Sequence, residues 1–129
     1  MKFVLSHQKG KDGKIDVERR EATRIVKYKG LYFAACPNRY GGARPYSYDI
    51  IEVSTGLSVT RVPRLKDAYP YIRDKFYQIT NQLKTPCAIG NMKDIYDYVA
   101  KNGEADLMID MDSVFNSLRE MGILDNILI

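Results

Sequence analysis

The chain has 129 residues, 45% of them hydrophobic, which is enough for one ordinary core and too few for two. It carries 20 Lys and Arg against 16 Asp and Glu, a net charge of +4, and no run approaches the roughly eighteen apolar residues of a membrane span. With two cysteines, Cys36 and Cys87, and no second pair near either, the composition also excludes a disulfide scaffold and a cysteine-rich zinc site.

The charge is unevenly divided. Residues 1–84 hold 17 Lys and Arg against 8 Asp and Glu, while residues 85–129 hold 3 against 8. A basic part followed by an acidic part points to an anionic partner, or to a second copy of the chain. The opening Met1-Lys-Phe-Val-Leu-Ser-His7 turns polar before a signal-peptide core forms, so export by that route is not expected, and a cytoplasmic location, in a host bacterium, is.

In chain order, Phe3-Val4-Leu5 begins a strand that ends at Lys9-Gly-Lys-Asp-Gly-Lys14, where Asp-Gly is a hairpin signal. Thr23–Lys29 and Leu31–Ala35 read as two strands turning at Lys29-Gly30. Tyr48–Val53 and Leu57–Val62 flank Ser54-Thr55-Gly56 as a further hairpin, with Gly56 free to take a positive φ. Their alternation predicts a sheet buried on one face and wetted on the other.

From Leu65 the period changes to that of a helix. Leu65, Ala68, Ile72, Phe76, Ile79 and Leu83 form an apolar stripe, with the regular helix starting near Asp67 and stopping before Thr85-Pro86. Asn91 reads as the N-cap of a short second helix that stops at Asn102-Gly103. Leu107, Met111, Val114, Phe115 and Leu118 predict a third, ending at Gly122 before the apolar tail 123–129, which is expected to dock on the domain or on a neighbouring subunit. The expected architecture is one α+β domain, 1–129. An antiparallel sheet of four to six strands in 1–62 is packed by one long helix, with two shorter helices completing 63–129.

Catalytic groups are not evident. His7 stands alone without partners at triad or metal spacing, and no metal site or cofactor is expected. Cys36 opens a basic loop, where neighbouring cations would lower a thiol's pKa, although a packed strand-end cysteine is the plainer reading. Asp106, Asp110 and Asp112 form the densest carboxylate cluster, with 106 and 110 spaced for one helical face. That cluster fits a solvated acidic face that meets a basic protein surface. It would also serve as the metal-binding part of a small Mg²⁺-dependent nuclease.

The strongest functional pattern is the stretch Cys36-Pro-Asn-Arg-Tyr-Gly-Gly-Ala-Arg-Pro-Tyr-Ser-Tyr48. Arginine offers a planar fork to phosphate, and a tyrosine ring is a surface on which a base stacks. The expected ligand-binding residues are Arg39, Tyr40, Arg44 and Tyr46, joined by Arg61 and Arg64 at the end of the following hairpin. The polybasic stretch from Lys9 to Lys29 adds attraction that does not read sequence.

Tyr48-Asp-Ile-Ile-Glu-Val-Ser-Thr-Gly-Leu-Ser-Val59, followed by Leu65-Lys-Asp-Ala68, resembles a small domain of uncharacterised bacteriophage and mobile-element accessory proteins, with Tyr48 where that domain has tryptophan. The resemblance implies an accessory protein, of which some counter host defence. Taken together, the expectation is a non-enzymatic binding protein, an anti-CRISPR-like inhibitor among the options. Its partner would be a nucleic acid, a nucleotide or a nucleoprotein complex. Three alternatives stand beside it: a homo-oligomer that traps a cyclic nucleotide, an inhibitor whose acidic helices mimic nucleic acid toward a host protein, and the Mg²⁺-dependent nuclease.

Overall fold

The computed structural model of the chain describes residues 2–10, 12–38 and 45–123. Strands β1 (Phe3–Lys9) and β2 (Ile15–Glu21) form an antiparallel pair, Phe3 opposite Glu21 and Lys9 opposite Ile15. Gly13, at φ 82°, supplies the left-handed residue that the Asp-Gly turn needs.

A second sheet follows as a meander of β3 (Arg24–Tyr28), β4 (Leu31–Asn38), β5 (Ser47–Glu52) and β6 (Leu57–Val62), each antiparallel to the next. The β3–β4 turn is Lys29-Gly30, with φ 45° and 93°, the paired positive values of a tight hairpin turn. Ser117 Oγ donates to the Gly30 carbonyl at 2.6 Å, and a Cβ built on Gly30 would lie 2.7 Å from Met121 Sδ. The turn is therefore also a docking point for the C-terminal helix.

Among the described residues the strands thus number six, but in sheets of two and four, where one sheet was expected. Nor is the larger sheet wetted on one side. Along β4, Leu31 and the run Phe33–Cys36 are buried, and all of β5 except Tyr48 is buried, so these central strands are enclosed on both faces. The reason lies in what packs above and below. Tyr28, on the face shared with Phe33, meets Tyr69 and Phe76 of the first helix edge-on, with ring centroids 5.7 and 5.0 Å apart. On the opposite face, Arg20 of β2 reaches Asn38 of β4 and Asp49 of β5. The alternation of β6 is broken by an extra residue opposite Ile50/Ile51, where Ile50 pairs with Thr60 and Ile51 with Ser58.

After one 3₁₀ turn (Leu65–Asp67), α1 runs Ala68–Leu83 and buries Ala68, Ile72, Ile79 and Leu83, most of the predicted stripe. Pro70 lies in its first turn, where its missing N–H costs nothing. Helix α2 spans Pro86–Asn102, and its N-cap lies six residues before the expected Asn91. Thr85 is its N-cap, with Oγ1 accepting from the Ala88 N–H at 3.2 Å, and Pro86 occupies the first helical position. Thr-Pro ends one helix and begins the next, so Asn91 falls mid-helix.

Helix α3 is shorter than the apolar spacing predicted, Met111–Glu120. Leu107 instead bridges to Phe3 in parallel fashion, which attaches the segment before α3 to the edge of β1. Residues of both sheets and all three helices, from Val4 through Phe33, Ile72 and Ile95 to Leu118, join in one buried cluster. Ile123 is buried at its edge, and the rest of the apolar tail, 124–129, lies outside the described residues. No described helix is long and apolar enough to cross a membrane.

Candidate functional site

Asp49 interrupts the apolar β5 strand, and a buried carboxylate there needs donors. The register supplies them: Asp49 faces Cys36 of β4 on one side and Arg61 of β6 on the other. Arg61 Nε donates to Asp49 Oδ1 at 2.9 Å, and Arg20 Nη2 donates to Oδ2. Arg20 also donates to Asn38 Oδ1 at 3.1 Å, and Asn38 Nδ2 to Ser47 Oγ at 3.3 Å. Burial pushes the Asp49 carboxyl up, but hydrogen bonds from Arg61, Arg20 and Asn38 outweigh it and hold the group below its ordinary value.

This network stiffens the base of the Arg/Tyr stretch. The Tyr46 N–H donates to the Asn38 carbonyl at 2.7 Å, which holds these two residues together at this end of the sheet. Tyr46 is 74% exposed, and the Arg61 side chain 57%. Together with Ser47, Val62 and Pro63 they line an open depression of about 460 Å³. Of the predicted ligand-binding residues, the structure therefore brings Tyr46 and Arg61 together. Arg64 follows Pro63 and bonds Asp67, Nε to Oδ2 at 3.2 Å. Arg39, Tyr40 and Arg44 lie outside the described residues. Arg20 and Asn38 went unread in the sequence, and the available signal was Asp49, whose place in an apolar strand demands a cation.

Cys36 lies beneath this network. Burial pushes its thiol up to about 12, far outweighing the opposing pull of Arg20, so Cys36 is the packed strand-end cysteine and its basic neighbours do not make it a thiolate near neutral pH.

The other end of β5 carries an unpredicted arrangement. Glu52 is fully buried, and the Ser54 and Thr55 backbone N–H groups donate to its carboxylate at 3.0 and 2.9 Å. Their hydroxyls add bonds of 2.7 Å and 2.8 Å. Desolvation still dominates and raises the Glu52 pKa. The Thr55 carbonyl accepts from His7 Nδ1, and the His7 N–H donates to the Gly56 carbonyl at 2.9 Å, so β1 is fastened to the β5–β6 turn. His7, read as partnerless, is a buried structural link whose ring is only 2% exposed.

The acidic residues do not form one helical face. Asp106 sits before α3 with φ 64° and approaches Arg19 at 4.0 Å. Asp110 caps α3, accepting from the Asp112 N–H at 3.0 Å and from Ser113 Oγ, while Asp112 lies in the first turn. Among the described residues no group of three or more His, Cys, Asp or Glu stands where it would hold one metal ion.

Comparison with protein-family models, with curated proteins and with solved structures finds no match to the chain.

Proposed function

We propose that the chain is a non-enzymatic binding protein that holds a phosphate-bearing ligand with an unpaired base, at the end of the sheet where Tyr46 and Arg61 meet. The observation that carries this reading is their shared depression: an exposed aromatic ring beside a guanidinium whose Nε is anchored by Asp49. A base stacks on such a ring, and an exposed guanidinium attracts the phosphate. Anchoring by Asp49 lowers the entropy lost when the arginine engages a ligand.

Arg39 and Arg44, in the segment that leaves Asn38 and returns at Tyr46, would add charge to the same end. The context of a phage or mobile-element accessory protein, including its anti-defence role, enters only through the resemblance at residues 48–68.

The test is fluorescence anisotropy of a labelled single-stranded oligonucleotide, with a mononucleotide as competitor. The expected result is that Tyr46→Ala weakens binding by about 1–3 kcal/mol, the value of one base–aromatic stack. Arg39→Ala/Arg44→Ala should weaken it further at low salt than at high salt. Unchanged affinity in both variants would overturn the proposal.

A further inference from the structure

Strand β6 forms one edge of the larger sheet: β5 lies on one side of it and, among the described residues, no strand on the other. Such an edge presents a row of backbone N–H and C=O groups, a template for one more strand. Edges are commonly blunted by lysine or proline, and neither occurs between Leu57 and Val62. The extra residue of the β5–β6 pairing is Val59, which stands between Ser58, opposite Ile51, and Thr60, opposite Ile50. A bulge at an edge re-aims a side chain. Here Val59 joins α1 in lining two adjoining depressions of about 250 and 340 Å³.

The two share Val59, Ile79 and Gln82, so they form one groove that follows β6 with α1 as its wall. Toward the β5–β6 turn it is lined by Leu57, Leu83 and Ala88, and Leu57 is 38% exposed. Glu52 also lines this part, but its carboxylate is taken up by Ser54 and Thr55. Farther along, the wall is Tyr71, Lys75 and Gln78. Lys75 is exposed and enters no ion pair among the described residues. Lys75, Ile79 and Leu83 succeed one another along α1 by single turns of about 5.4 Å. Alternate side chains of an extended strand are about 6.6 Å apart. A strand laid on β6 therefore sets one side chain in the apolar part and another, on the same face, near Lys75.

We propose that this edge takes up an extended segment of another protein by strand addition. The segment's backbone bonds to β6, an aliphatic side chain sits between Leu57 and Leu83, and a carboxylate on the same face meets Lys75. The backbone row specifies a polypeptide rather than a small molecule, and the unpaired cation specifies an acidic neighbour. A second copy of the chain suits the edge less. Paired with β6 about its middle, it would bring a second Lys75 to the same seam, like charge beside like. Arg61 pairs with Asp49 on the opposite face of β6, so the groove is separate from the depression at Tyr46.

The experiment is fluorescence anisotropy of the full chain with labelled, end-blocked heptapeptides Thr-X-Thr-Glu-Thr-X-Thr. X is Leu, Ile, Val or Phe, and both X side chains share one face of the extended peptide with Glu. At least one peptide should bind saturably, one per chain. Full N-methylation of its backbone, which removes the donors and keeps the side chains, should weaken it about tenfold or more. Lys75 is exposed, so Lys75→Glu leaves the core intact. That variant should weaken the Glu-centred peptide about tenfold and prefer the same peptide with Lys in place of Glu. The control Lys93→Glu, exposed on α2, should stay within about twofold of the wild type for both. No saturable binding, full affinity after N-methylation, equal effects of the two lysine variants, or self-association in sedimentation that Val59→Lys abolishes would each overturn the assignment.

Discussion

Asp49 and Glu52 lie three residues apart on β5, on opposite faces of the sheet, and the protein stabilises them by different means. Asp49 is held by two arginines and an asparagine from three other strands, at an end that opens to solvent. Glu52 has no cation among the described residues and is satisfied by the four donors of Ser54 and Thr55, sealed beneath the turn that His7 clasps. The first pulls its carboxyl down and ties it to the half-exposed Arg61 side chain. The second pushes its carboxyl up and spends every lone pair on the local fold, which suits rigidity. On the proposed reading the contrast separates a binding end of the sheet from a structural one.

The largest effect expected from breaking this contrast is at Glu52. Glu52→Ala strands four buried donors and should cost about 3–5 kcal/mol in denaturant unfolding. Glu52→Gln, which keeps one acceptor, should cost less. Gly56→Ala comes next, at about 2 kcal/mol. It imposes a side chain on φ 70° and sets a Cβ 3.0 Å from the His7 backbone nitrogen, with Ile95 Cδ1 at 3.1 Å. Asp49→Asn should cost only about 1 kcal/mol, because Arg61 is half exposed and its charge is screened. That variant should also bind an oligonucleotide more weakly, since Arg61 loses the anchor that holds it beside Tyr46. If Asp49→Asn proved the more disruptive of the two carboxylate changes, the assignment of working and structural ends would be reversed.

Stability against pH sharpens the same comparison with smaller effects. Glu52, raised in the fold, binds its proton more tightly there than in the unfolded chain. Its contribution is full below the ordinary value of 4.5 and declines as the pH rises through its folded value. Asp49, lowered in the fold, contributes fully above its ordinary value of 3.8 and loses that as the pH falls through its folded value. Thermal unfolding should thus show a gain on mild acidification that disappears in Glu52→Gln. It should also show a loss at lower pH that is reduced in Asp49→Asn.

Much of this fold was legible locally. Turn chemistry at Asp12-Gly13, Lys29-Gly30 and Gly56 located the hairpins, and the 3.6-residue stripe from Ala68 to Leu83 located α1. What local pattern did not disclose was enclosure. A lone histidine reads as a surface residue until β1 is laid on the β5–β6 turn, and Glu52 reads as a strand-end charge until Ser54 and Thr55 fold back on it. Thr85-Pro86 carried both a stop and a start, and only the stop was read. In the site, Tyr46 and Arg61 were readable as chemistry, whereas Arg20 depended on a contact between two sheets that no spacing encodes.

The most direct test of the central claim is an ¹⁵N-resolved NMR titration of the full chain with a short single-stranded oligonucleotide. Shifts should concentrate at Arg20, Asn38, Tyr46–Asp49 and Arg61–Arg64, with Glu52–Gly56 and His7 unmoved. Perturbation centred on the Glu52 turn, or none at the Tyr46 end, would contradict the account.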